Sequence, residues 1–258
     1  MSSNNPIGLF DSGVGGISIW KEINKLLPNE ETVYLADSKN APYGKKSKKE
    51  IIDLCEKNTE FLLQKNCKLI VVACNTATTN AITYLRNKYK TPFIGIEPAI
   101  KPASLKTKTN VIGILATKGT LNSSLFEKTS SFINSDIKII EQVGEGLVEL
   151  IENGLMDSTE MDKLLNSYLE PMIRQNVDSL VLGCTHYPFL ISKIQAIVGD
   201  EIKIIDSGEA VAKQTKRVLE QNIILNTEEK RSKNSFFTNG SKQVIKNLLP
   251  DDSLVVKV

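Results

Sequence analysis

The chain has 258 residues, 41% of them hydrophobic and 24% charged, with 32 basic against 30 acidic side chains. That size supports one large core or two modest ones, and interspersed charges summing to +2 leave no basic face for nucleic acid. The opening MSSNNPIGLF lacks the features of a secretory signal, no run approaches a membrane span, and four cysteines without a CxxC pair beside a single histidine make no zinc pattern, so a cytoplasmic protein with reduced thiols and no metal is expected.

Strand and helix signals alternate almost from end to end. Apolar runs fall at Ile7–Phe10, Val33–Ala36, Leu69–Ala73, Phe93–Ile96, Val111–Leu115, Ile137–Ile140, Leu180–Gly183 and Ile202–Ile205. Amphipathic segments lie between them. From Lys48 to Gln64, Ile51, Leu54, Cys55 and Leu62 share one helical face, and Met161, Leu164, Leu165, Tyr168, Leu169 and Met172 share another. Continuous apolar strands separated by helices predict α/β architecture with mainly parallel sheets covered on both faces.

A faint internal repeat runs through this pattern. IGLFDSG (Ile7 to Gly13) aligns with IGILATKG (Ile112 to Gly119) at an offset of 105, and Cys74 aligns with Cys184 at 110. Ile96-Glu97 aligns with Ile205-Asp206 at 109. Two similar halves related by a pseudo-twofold are therefore expected. After Asp206-Ser207-Gly208 come a helix (Glu209 to Gln221), a polar patch, Phe236-Phe237, a short helix and the strand-like Leu254–Val256. This tail is too small to fold alone and is expected to return to the first half. The boundaries that follow are 1–97 plus 208–258 for one domain and 98–207 for the other, with the active site in the cleft between them.

The loop Phe10-Asp11-Ser12-Gly13-Val14-Gly15-Gly16 follows the first strand and opens a helix. Its glycines are expected to turn the chain tightly and turn helix N–H groups toward an anion. A dinucleotide fingerprint would also place an acid near Asp37, but position 18 is serine where the third glycine is needed, and Asp11 would face the pyrophosphate. A small carboxylate suits the loop better.

Two cysteines sit in matching frames at strand ends, in LIVVACNTAT (Leu69 to Thr78) and SLVLGCTHYP (Ser179 to Pro188). Strand carboxyl ends are where open α/β sheets bind ligands. Free cysteine is more often inert packing, which fits Cys55 on its apolar helix face, and Cys67 reads as an incidental loop residue. Cys74 and Cys184 differ, being paired in frame with the only histidine, His186, two residues from one of them. A matched pair of proton donors and acceptors suits inversion of a carbon stereocentre. A catalytically silent ligand-binding protein and a Cys–His hydrolase are the alternatives, and the hydrolase leaves the second thiol without a task.

These motifs, with YLADSKNAPYG (Tyr34 to Gly44), GIEPAIKPA (Gly95 to Ala103), LATKGT (Leu115 to Thr120) and IIDSGEA (Ile204 to Ala210), closely resemble the cofactor-independent, two-cysteine aspartate/glutamate racemase superfamily. The PYG element resembles the glutamate branch, and a racemase for aspartate or another amino acid is the alternative. The resemblance implies two acid/base thiols, Cys74 and Cys184. It implies Asp11 supporting the first, and His186 with Glu152 supporting the second, with Glu149 one turn earlier as the other choice. Ser12, Tyr43, Gly44, Asn75, Thr76, Thr117, Thr120 and Thr185 match substrate-holding positions, beside Asp11 and His186. It further implies glutamate as substrate, no cofactor, a homodimer, and D-glutamate supplied to peptidoglycan synthesis.

Overall fold

A computed structural model describes residues 4–226, 233–250 and 253–258. The first three residues of the opening segment and part of the polar patch after Gln221 lie outside the described residues. The first half of the chain carries β1 (Ile7–Asp11), β2 (Thr32–Ala36), β3 (Leu69–Val72) and β4 (Phe93–Gly95). The second carries β5 (Val111–Ala116), β6 (Lys138–Val143), β7 (Ser179–Gly183) and β8 (Lys203–Ile205). The tail adds β9 (Asn234–Thr238) and β10 (Val255–Lys257).

Two sheets result, ordered β10-β9-β2-β1-β3-β4 and β6-β5-β7-β8, with every described pairing parallel. The order β2-β1-β3-β4 repeats as β6-β5-β7-β8, so the landmarks of the faint repeat fall on equivalent strands. The tail strands extend the first sheet through β9 beside β2. Strands β1, β2, β3 and β7 are buried at every position, which is why they read as unbroken apolar runs. Strand β6 runs three residues beyond the expected Ile140, through Glu141 and Gln142. It is an edge strand, where polar side chains reach solvent without disturbing the ladder.

The helix over Lys48–Gln64 starts at a capping box between Ser47 and Glu50, so sequence and structure agree on its ends. Its buried face includes Asn58 and Thr59, which an apolar-periodicity reading passes over. Cys67 lies in the loop before β3, as expected, but its side chain is buried. It is 3% exposed, and a Cβ on Gly8 would come within 2.9 Å of its sulfur. Burial pushes its thiol up to about 12, as expected of inert packing. At the amino end of the first sheet, Lys68 and Glu30 form a buried ion pair at 2.6 Å.

The chain passes between the sheets after β4 and after β8. Ser207 Oγ donates to the Glu97 carbonyl at 2.5 Å, tying the two crossings together. Helix Ile17–Leu26 packs against helix Gly208–Gln221 beside this clasp. Both sheets point their carboxyl ends toward the same space.

Candidate active site

Loops at the carboxyl ends of β1, β3, β5 and β7 meet around a narrow cavity of about 10 Å³. It is lined by Ser12, Pro42, Tyr43, Gly44, Cys74, Asn75, Thr76, Thr117, Val148, Cys184, Thr185 and His186. That volume holds about one water molecule. A larger open cleft of about 550 Å³ shares Pro42, Gly44, Thr117 and Val148 with it and leads outward.

Cys74 ends the loop after β3 and serves as N-cap of the helix over Asn75–Lys88, its sulfur accepting the Ala77 N–H at 3.4 Å. Ser12 Oγ lies 3.6 Å from the same sulfur. Burial holds the Cys74 thiol well above its ordinary range, and the charge of Asp11 adds to this. The Ala77 N–H and Ser12 pull back only in part. Cys74 is therefore a neutral thiol, a proton donor.

Behind it stands Asp11, fully buried, whose Oδ2 accepts N–H bonds from Gly16 at 2.9 Å and Gly13 at 3.3 Å. Burial raises its pKa above the usual carboxylate value, against the opposing pull of the His186 cation and the Gly16 N–H. The loop's N–H groups do face carboxylates, but at three of them the carboxylate is the protein's own. Asp11 takes two of them, and Glu152 takes the Val14 N–H at 2.6 Å. The chain turns tightly at Gly15 and Gly16, where the Ile17 N–H donates to the Val14 carbonyl at 3.1 Å, and the glycines also serve close approach. Neither Gly13 nor Gly15 has a positive φ, but a Cβ on Gly13 would fall 1.8 Å from Glu152 Oε1, and one on Gly15 2.2 Å from His186 Nδ1.

Cys184 follows β7, and its sulfur lies 3.7 Å from His186 Nδ1. His186 Nε2 meets Glu152 Oε1 at 2.6 Å. The Gly15 N–H lies 3.2 Å from the same nitrogen. The shorter, charge-assisted contact decides the protonation, so Nε2–H donates to Glu152. Burial alone would lower the His186 pKa. Hydrogen bonding to Cys184 and Glu152 outweighs it and raises the value well above the ordinary one. His186 is thus an imidazolium that places a cation beside the Cys184 sulfur. Glu149, the other choice for its partner, turns outward and pairs with Lys45 at 2.6 Å.

The family model for Asp/Glu/Hydantoin racemases matches residues 7–215. The chain belongs to this racemase family. It is 44% identical to the glutamate racemase of Ectopseudomonas mendocina (strain ymp) over 249 residues, covering 96% of this chain and 94% of that one. The solved glutamate racemase isoform of Bacillus anthracis superposes with a TM-score of 0.88 at 33% identity, covering 99% and 98% of the two chains. Escherichia coli glutamate racemase, solved with L-glutamate and an activator, gives a TM-score of 0.85 at 32% identity, covering 98% of each.

Within this racemase fold the expected site residues separate into two layers. Ser12, Tyr43, Gly44, Asn75, Thr76, Thr117, Thr185 and His186 line the cavity with both cysteines. Asp11, Glu152 and Thr120 stand one layer back. Thr120 touches the cavity only through Thr76 at 3.3 Å and Thr117 at 3.0 Å. Both side-chain amide atoms of Asn75 are buried without a hydrogen-bond partner, as a group awaiting a polar ligand would be. Val148 in the wall carried no signal in the sequence, and Ser18 behind it stood out there only as a missing glycine. Ser18 Oγ lies 2.8 Å from the Thr185 carbonyl and 2.9 Å from that of Gly15, so the serine that breaks the dinucleotide pattern bridges the two halves.

Proposed function

We infer that this chain interconverts L- and D-glutamate by two-base proton transfer at Cα, with Cys74 and Cys184 on opposite faces of the substrate. The observation that carries this reading is the pair of thiols on equivalent strand ends of the two sheets, facing one cavity with unlike partners. Relatives named glutamate racemase over nearly the whole chain supply the substrate. An amino-acid Cα–H is a very weak acid, so the developing carbanion needs fixed positive charge and hydrogen-bond donors around it. Thr76, Thr117, Thr185 and Asn75 are placed to provide the donors. At neutral pH a free thiol is only a few per cent ionised, so the supporting groups must set one sulfur up as base and the other as acid. Asp11 beside Cys74 and the Glu152–His186 pair beside Cys184 are assigned these two tasks.

A cavity with room for about one water cannot take in an amino acid, so the two halves must part to admit it. Reclosure then excludes water and strengthens each charge interaction inside. We place the domains at 1–97 plus 208–258 and at 98–207. The Ser207–Glu97 clasp at both crossings supports these as the hinge positions. Among the described residues no helix is long and apolar enough to cross a membrane. A cytoplasmic homodimer that supplies D-glutamate for peptidoglycan is the extension that family resemblance supports.

The test is circular dichroism following pure L-glutamate with no cofactor added, with L-aspartate as comparator. Run in D₂O, the first turnovers should yield D-glutamate deuterated at Cα, because thiol protons exchange with solvent. Product that keeps its original Cα hydrogen would contradict two bases.

A further inference from the structure

Asp37 sits just beyond β2, where a ribose-binding acid would stand in a nucleotide fold, and it is 3% exposed. The structure gives it other work. Its Oδ2 accepts the Tyr43 O–H at 2.5 Å. Its Oδ1 accepts side-chain N–H bonds from Asn40 at 2.8 Å and Asn239 at 2.5 Å. Asn239 belongs to the tail, just past β9, and its own Oδ1 accepts the Lys39 N–H at 2.8 Å. From the other side Asn58, on the buried face of its helix, donates to the Tyr43 oxygen at 3.0 Å.

The consequence concerns Tyr43, which lines the cavity between Pro42 and Gly44. Its hydroxyl already donates to Asp37 and accepts from Asn58. Burial and the Asp37 charge both raise its pKa far beyond the ordinary phenol range, so the proton stays in place. The hydroxyl has no hydrogen left for a substrate. Tyr43 serves the cavity through its ring and main chain, and their position depends on the carboxylate behind them. The two sulfurs take their partners from other loops: Ser12 and Ala77 for Cys74, His186 for Cys184.

We propose that Asp37 is a positioning residue that fixes the Pro42–Gly44 wall of the substrate cavity, through Tyr43 and with the tail's Asn239 as its brace, and so sets the side-chain length the cavity accepts. This rests on the glutamate racemase reading. A displaced wall changes the space the substrate must fill while leaving the proton-transfer groups where they are. Binding should suffer more than turnover.

The experiment measures kcat and KM of Asp37→Ala, Asp37→Asn, Asn239→Ala and Tyr43→Phe, with thermal unfolding of each. Asp37→Ala should raise KM for glutamate about tenfold or more, the scale of one lost charge-assisted hydrogen bond, with kcat changed less than about threefold. Asp37→Asn, which keeps an acceptor, should restore part of that loss, and Asn239→Ala should move KM in the same direction by less. Adding Asp37→Ala to Tyr43→Phe should worsen KM little, since both act on one contact. Preference for L-glutamate over L-aspartate and L-2-aminoadipate should narrow in Asp37→Ala. Lys68→Met, which breaks the buried pair at the far end of the sheet, is the control: destabilised, with KM unchanged. Should Asp37→Ala not fold, Asp37→Asn and Asn239→Ala carry the test. A folded Asp37 variant with wild-type KM, kcat and KM damage tracking lost stability as in the control, or multiplicative Asp37 and Tyr43 effects would each overturn the proposal. Wild-type protein without racemase activity would sink the functional reading itself, whereas active wild type with an indifferent Asp37 sinks only this inference.

Discussion

Cys74 and Cys184 lie just beyond β3 and β7, equivalent strands of two sheets with the same order, yet what stands behind each sulfur differs in kind. Behind Cys74 are a buried carboxylate, a hydroxyl and a helix N–H, and the thiol keeps its proton. Behind Cys184 is an imidazolium held by Glu152. A repeated α/β half gives matching placement of the sulfurs. Unlike neighbours give them unlike surroundings. A two-base reaction needs both, because one sulfur must accept a proton while the other holds one.

The comparison breaks most severely if a sulfur is removed. Cys74→Ala and Cys184→Ala should each lower racemisation by on the order of 10⁴-fold, the upper range for a general acid or base. Circular dichroism with L- and with D-glutamate measures it. Either variant keeping a tenth of wild-type activity would show that one face of the substrate needs no thiol.

A smaller loss is expected on the Cys184 side from His186→Asn, roughly 10²-fold in kcat/KM. It might seem that only one reaction direction should suffer. The enantiomers have equal free energy in water, so the ratio of the two kcat/KM values must stay at one in every variant. The loss must therefore be equal from L- and from D-glutamate, while kcat and KM individually can become unequal. Folded His186→Asn protein with wild-type kcat/KM would take the imidazolium out of the mechanism.

Much of this arrangement was legible in the sequence, and the parts that were not share a physical cause. Buried parallel strands read as apolar runs, and the cysteine frames and the PYG segment followed from local pattern and resemblance, whereas the choice between Glu152 and Glu149 stayed open by a turn. The occupied N–H groups of the Phe10–Gly16 loop were not legible. Val14 meets Glu152 across 138 residues of chain, and His186 meets Gly15 across 171, and no local pattern reports such partners. Cys67 reads as an incidental loop residue between Lys65 and Lys68, and its burial beside Gly8 of β1 is a contact no local pattern reports. Asp37 reads in the sequence only as a rejected ribose-binding acid and Asn58 carries no signal there, because Tyr43, which joins them, is a contact of the fold.

On the Cys74 side, Asp11→Asn sharpens the contrast through stability. The folded-state pKa of Asp11 is raised above its unfolded value near 3.8. Its contribution to folding is therefore full below pH about 3.8 and lost as pH rises through the folded value. At neutral pH the buried carboxylate burdens the fold. Asp11→Asn should melt higher than wild type at pH 7, by a few degrees at about 2–4 °C per kcal/mol for a chain this size, with the gap closing toward pH 4. Racemisation should fall at the same time. A variant that melts lower at pH 7 would mean that the attraction between Asp11 and His186 outweighs the cost of burying the carboxylate.

The smallest effect is expected one helical turn from Glu152. Glu149 shares a short helix with it, Leu147–Glu152, but reaches Lys45 at the mouth of the outer cleft instead of His186. Side-chain exposures of 62% for Lys45 and 32% for Glu149 leave this pair to solvent and salt. Such pairs contribute little, and less as ionic strength rises. Glu152 is placed differently: it holds both His186 Nε2 and the Val14 N–H, and its side chain is only 11% exposed. Glu149→Gln should therefore alter kcat/KM by less than about threefold, with the difference vanishing in high salt. Glu152→Gln should lose tenfold or more at any salt concentration, since the amide holds the imidazolium less tightly. Steady-state kinetics of the two variants at low and high salt decides between the neighbours. Equal losses, or a larger one at Glu149, would hand the support of His186 to the other carboxylate and undo the contrast drawn between the two sulfurs.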